Sequence, residues 1–294
     1  MNIELHWKPS VPVSTLHIAW AASQNLPQNG PQLDDAVIET ARDVSAAIKT
    51  AQMPADRFWR NLIPLAANPT SRRQLVENAV GKILGRTARL EAFTGTLEAK
   101  LAALELAVKT ALPTMADELT LRERPLREQW EARGPGMLTH IARLTDESLV
   151  VPECTVLLVQ PVLGGFGESH LPYNSVRIEA MLANPFSDLP EIVRLAWLVA
   201  QLQLDLPAYS EGIHADRLPH VARYSMLPAA LLAAESVELL HFTPEFIGKA
   251  ISAWQLNVPP GLDAAALLSE WWQTYIETRP PWNIALAALD QLFG

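Results

Sequence analysis

A few residues in this chain carry the side chains that do chemistry in proteins. Glu168 and His170 sit two apart in a glycine-rich connection, and Glu211, His214 and His220 share one segment further on. With Glu235 these carboxylates and imidazoles are donor types that hold a divalent metal and activate its bound water for hydrolysis. Their spacing works against that use, because His-x5-His on a proline-containing loop fixes no ligand geometry. Cys154 beside Glu153, with His170 as base, offers the pair that a thiol nucleophile needs. A lone cysteine next to a β-branched run reads instead as buried and inert. Gly164-Gly165-Phe166-Gly167 lacks the Lys-Ser/Thr of a phosphate loop, so it marks a tight turn or a close backbone approach.

The element that must position these groups is the stretch from Asp188 to Pro207, DLPEIVRLAWLVAQLQLDLP. It reads as one helix. Asp188 lies three residues before Glu191, which is capping-box spacing, Pro190 falls in the first turn and Pro207 closes the far end. Nearly every residue between is apolar, so the helix is expected to be buried on almost all sides. Only a thin stripe is left for water, with Arg194, Gln201 and Asp205 at i, i+7 and i+11 and Trp197 on the same line.

Around that helix the chain reads as mostly helical. LDDAVIETARDVSAAIKTAQ places Val37, Ala41, Val44 and Ile48 on one face, with acids early and Lys49 late. Residues 1–32 are ambiguous between short strand and buried helix. ADRFWRNLIPLAAN is a shorter helix interrupted by Pro64, and Thr70 or Ser71 caps the next one, which stops near Gly85. The longest periodic run starts at Ala88, and Leu97, Leu101, Leu104 and Val108 form its packed stripe. The mixed-sign text from Met115 to Leu144 is helical, broken at Pro125 and at Gly134-Pro135-Gly136, and its charges read as a solvated face.

After Ser148 the character changes. Thr155 to Val159 is a dense β-branched run that reads as a buried strand. Val176, Ile178 and Ala180 then alternate with Arg177 and Glu179, which predicts a half-buried strand antiparallel to the first. The segment from Ala208 to Met226 reads as a loop, with a second apolar helix starting near Pro228. Helices fill the remainder. Trp271 and Trp272 point about 100° apart, so both are buried only if their helix is covered on more than one side.

Composition narrows the function classes. A formal charge of −9, with no cluster of Lys and Arg, argues against nucleic acid as a partner. One cysteine rules out an intramolecular disulfide framework. No signal peptide is visible in MNIELHWKPSVPV, and no apolar run reaches the roughly 20 residues of a membrane span, so a soluble cytoplasmic protein is expected.

The order strand, glycine-rich connection, strand, apolar helix, loop, second helix resembles the core of zincin metallopeptidases, the gluzincin branch in particular. That resemblance covers roughly Val150 to Leu240. Zincins carry H-E-x-x-H on the central helix, two histidines for zinc and a glutamate for the water, with a third ligand from a later helix. Here Gln201-Leu202 fits the end of the run, Ala196 and Ala200 stand at the histidine positions and Trp197 at the glutamate position. Glu235 falls where the third ligand would. The resemblance therefore implies a zincin-like fold without metal, cofactor or general base.

The expected fold is α+β and predominantly α. A helical region takes residues 1–145, and a zincin-like region with a small, mainly antiparallel sheet takes 146–294. No flexible linker separates them, which is compatible with one shared core. The expected function is non-catalytic binding of a peptide or protein partner, along the edge of the strand pair. Arg194, Trp197, Gln201, Glu168, His170 and Glu235 would line what remains of the cleft. The alternatives are a hydrolase with a displaced metal site, drawn from Glu168, His170, Glu211, His214, His220 and Glu235, and a purely structural helical scaffold.

Overall fold

A computed structural model describes residues 3–24, 33–68, 70–85, 90–182, 184 and 186–294. Part of the ambiguous 1–32 stretch, and the Ala88 start of the longest helical run, lie outside those residues. The protein is predominantly α with a small four-stranded sheet, an α+β fold. Among the described residues, no helix is long and apolar enough to cross a membrane.

In chain order the elements are β1 (Glu4–Pro9), α1 (Val11–Ser23), α2 (Asp35–Thr50), α3 (Ala55–Leu65), α4 (Arg72–Leu84), α5 (Leu90–Ala111) and α6 (Met115–Leu144). Next come β2 (Glu153–Val159), β3 (Gly167–His170), β4 (Ser175–Glu179), α7 (Glu191–Val199), α8 (Pro207–Ser210) and α9 (Leu218–Ser236). The chain finishes with α10 (Glu245–Ala253), α11 (Ala264–Thr278) and α12 (Trp282–Leu292). It divides into two compact units, one of residues 1–6, 124–156 and 165–294, the other of residues 7–123 and 157–164.

The second of these units is a helical assembly in which α2 packs on α1 and α5, and α4 on α3 and α5. The predicted stripes do the packing. Val37, Ala41, Val44 and Ile48 on α2, and Leu97, Leu101, Leu104 and Val108 on α5, are all buried. Ser71 starts α4 with a full capping box, its hydroxyl accepting from Gln74 N–H while the Gln74 side chain returns to the Ser71 N–H.

The sheet has the order β1-β2-β4-β3. Glu4 N–H donates to Pro152 O and Ser10 N–H to Leu158 O, an equal advance along both strands, so β1 and β2 are parallel. Thr155 N–H donates to Asn174 O, which joins the start of β2 to the start of β4 and makes that pair parallel as well. The antiparallel partner of β4 is β3, with Glu168 opposite Arg177 and Ser169 opposite Val176. The expected antiparallel pairing of β4 with β2 is thus corrected. The text read as a turn-rich connection holds a strand of its own, and β3 and β4 form a short hairpin through Leu171–Tyr173.

The central helix is α7, and it is shorter than predicted. Asp188 does not cap it; Pro190 is the N-cap residue with no side-chain bond, and Asp188 pairs with Lys249. Beyond Val199 the α ladder gives way to i→i+3 turns, with Gln201 N–H on Leu198 O, Leu202 N–H on Val199 O and Leu204 N–H on Gln201 O. Every residue from Ile192 to Val199 is buried. Most of the stripe expected to face water does not: Arg194, Trp197 and Gln201 are buried too, and Asp205 is half-buried.

Two further boundaries differ from the sequence reading. Helix α6 runs unbroken through Pro125 and Pro135. Each proline forfeits one hydrogen bond at about 3 kcal/mol or more. The carbonyls left over belong to Leu121 and Glu131, both exposed, where water can satisfy them. Gly134 lets the helix keep Trp130 against its own backbone, since a Cβ there would lie 2.3 Å from the indole. Helix α9 starts at Leu218, with Pro219 in its first turn, and Pro228 sits inside it.

α7 packs on β3, β4 and α9. The closest approach is at Gly167 on β3, where an added Cβ would lie 2.6 Å from Leu198 Cδ1. Ser169 Oγ donates to Leu198 O at 2.7 Å and fixes the same contact. Gly167→Ala is expected to lower the unfolding free energy by about 1–3 kcal/mol through overpacking, measured by urea denaturation.

Candidate functional site

The side chains that collect beneath α7 are charged. Glu168 on β3 faces Arg177 on β4 as a directly opposed cross-strand pair, and Arg177 Nη2 donates to Glu168 Oε2 at 2.6 Å. Arg223, one turn into α9, donates from Nη2 to the other oxygen, Glu168 Oε1, also at 2.6 Å. A carboxylate that binds a guanidinium on each oxygen has little acceptor capacity left for a metal or a substrate proton.

A second carboxylate shapes the glycine-rich turn. Glu179 Oε2 accepts from Gly165 N–H at 2.8 Å and from Phe166 N–H at 3.1 Å. Gly164 and Gly165 have φ of 80° and 131°, which a residue with a Cβ rarely adopts. Arg194 then links this turn to α7: its Nη2 donates to Glu179 O at 3.3 Å and to the carboxylate of Glu191, one turn earlier on the same helix. Arg177 lies over the Phe166 ring, 5.4 Å from its centroid.

Glu168, Glu179 and Glu191 are thereby set against Arg177, Arg194 and Arg223, so the formal charges cancel. Burial pulls the Arg177 pKa down, and Glu168 and Glu179 oppose that pull. Burial likewise raises the Glu191 carboxyl, against the neighbouring Arg194. Interior charges of this kind persist only when each is paired and hydrogen-bonded, because desolvation costs several kcal/mol or more per ion.

Trp197 occupies the remaining volume. It is fully buried, its ring stacks on Trp254 at 4.9 Å between centroids, and its Nε1 donates to Arg223 O at 2.8 Å. Gln201 Nε2 donates to Trp197 O at 3.0 Å, which leaves this side chain engaged with its own helix.

The other residues picked from the sequence lie elsewhere in the same unit. His170 is buried at the end of β3. Glu235 sits at the end of α9, where it accepts from Phe242 N–H at 2.9 Å and pairs with His241 at 3.0 Å. From Arg223 to Glu235 the helix rises about 18 Å. His214 is exposed beside Asp216, Glu211 is exposed, and His220 packs between Tyr224 and Phe293 at 4.7 and 5.1 Å. Among the described residues, Glu168, His170, Glu211, His214, His220 and Glu235 do not gather into a three-donor group. Cys154 is buried, and burial pushes its thiol up to about 12, far from a nucleophile's range.

Four partners in this cluster were not singled out from sequence. Arg177 and Glu179 read as the solvent side of a half-buried strand, yet all five residues of β4 are buried. Arg223 lies in text that reads as a loop, and Glu191 in text that reads as part of a cap. Two charged residues alternating in a strand that follows a glycine-rich turn are the available signal: Glu179 takes its partners from that turn, and Arg177 takes Glu168 from β3.

Trp197→Ala is expected to cost about 3–5 kcal/mol of unfolding free energy, as loss of a filled interior position does. Urea denaturation measures it, and a loss under about 1 kcal/mol would place the ring in an open cleft.

Compared with protein-family models, curated proteins and solved structures, the chain matches none.

Proposed function

We propose that this is a non-catalytic, zincin-like protein with a metal-free core, which acts by holding a peptide or protein partner. The observation that carries the proposal is the state of the three positions at which a zincin has His, Glu and His. Ala196, Trp197 and Ala200 stand there, all buried, and the indole is locked by Trp254 and by the Arg223 carbonyl. The nearest carboxylates, Glu168 and Glu191, are committed to arginines. An antiparallel edge strand lying against the central helix, as β3 lies against α7, supports the zincin-like comparison.

For the partner half, support comes from apolar side chains left on the surface. Ile284, Ala288 and Leu292 recur at i, i+4 and i+8 on α12, with Ile284 at 56% and Leu292 at 49% exposure. Addition of a partner strand at the β3 edge of the sheet is disfavoured, because all four residues of β3 are buried. That same burial favours a second reading, a scaffold with no residual cleft.

Purified protein incubated with an unstructured substrate such as casein, with and without added zinc, is expected to give no cleavage above buffer. Chelator-sensitive cleavage that disappears in Glu168→Gln would overturn the proposal in favour of a hydrolase.

A further inference from the structure

A different set of donors converges on the outer face of the β1–β2 pair. The strands are held side by side by Glu4 N–H to Pro152 O at 2.9 Å. Strand alternation then sends Glu4 and His6 to one face of β1, and Glu153, the first residue of β2, to the same side, while Cys154 turns inward and is buried. His6 Nε2 lies 3.3 Å from Glu153 Oε2, and His6 Nδ1 lies 3.8 Å from Glu4 Oε1. One donor atom from each of the three residues falls within 4.8 Å of the others.

One imidazole and two carboxylates make a recognised donor set for borderline divalent ions, and three protein ligands leave a coordination position for water. Two features suit this group to holding a metal. The donors sit on hydrogen-bonded strands, so no loop has to be ordered on binding; Asn174 Nδ2 donates to Glu153 O at 2.8 Å and anchors the start of β2. The side chains are also open, at 74% for Glu4, 49% for His6 and 60% for Glu153, which gives an ion access and room for its water.

We propose that Glu4, His6 and Glu153 bind one divalent transition-metal ion, with zinc as the reference, and that the ion clips β1 to β2. The clip works through linkage: an ion that binds the paired strands and not the unfolded chain stabilises the pairing. This site is independent of the interior cluster and of the non-catalytic reading.

The test is calorimetric titration of the untagged full chain with zinc chloride, beside His6→Ala and Glu153→Gln, with calcium chloride as control. Saturable binding of one zinc per chain is expected, weakened at least about tenfold by either substitution, with little response to calcium. Zinc is also expected to raise the thermal midpoint of the native chain and to leave that of His6→Ala unchanged. Absence of saturable binding, or zinc binding that His6→Ala does not weaken, would overturn the assignment. Failure here is distinguishable from failure of the functional reading, which is decided by chelator-sensitive cleavage.

Discussion

Glu168 is held between two guanidiniums, and the interior of the larger unit depends on that arrangement. Arg177 comes from the adjacent strand and Arg223 from α9, so one carboxylate ties β3, β4 and a helix together. Such a contact is costly to build and costly to break. Removing ions from water costs several kcal/mol each, and the attraction between them offsets this only in part here, because Arg194 Nε and Nη1 are buried without a hydrogen-bond partner among the described residues. Glu179 extends the scheme by spending its carboxylate on the Gly165 and Phe166 amides, and Arg194 closes it by joining Glu179 O to Glu191. The result is a set of links between a strand hairpin and the helix above it that apolar packing alone would not specify.

That arrangement commits the charged side chains around α7 to one another. A helix in this position could present ligands and a base to a cleft, but its side chains are used to fill and to tie. Trp197 is packed against Trp254 and bonded to the α9 backbone, and Arg194 is turned to the hairpin. Carboxylates adjacent to the helix are neutralised by arginine, which holds its proton at any physiological pH and so cannot exchange one with a substrate. Among the described residues, one group of donors open to solvent does gather, Glu4, His6 and Glu153 on β1 and β2.

Much of the helical text was legible because a repeated apolar stripe survives any error at its ends. The α2 and α5 stripes were read residue by residue, and burial of the central helix followed from its composition. Reading failed where local rules met a stronger tertiary demand. Pro125 and Pro135 look like breaks, but the carbonyls they release sit on exposed residues, and buried Leu126, Trp130, Met137 and Ile141 hold α6 together. Alternation in β4 implies a wet face for Arg177 and Glu179, because nothing local reveals that Glu168 on β3 supplies a counter-charge to Arg177 and that the glycine turn supplies two amide donors to Glu179. The candidate site was half visible in the same way: Glu168, Arg194 and Trp197 were found from position, and their partners came only with the fold.

The most direct measurement is the unfolding free energy of Glu168→Gln, which keeps the shape and removes the charge shared by the fully buried Arg177 and the half-buried Arg223. A loss of about 3–5 kcal/mol is expected, the cost of leaving the buried Arg177 cation without the carboxylate it is bonded to. A loss below about 1 kcal/mol, the range of an exposed ion pair, would contradict the central place given to this carboxylate.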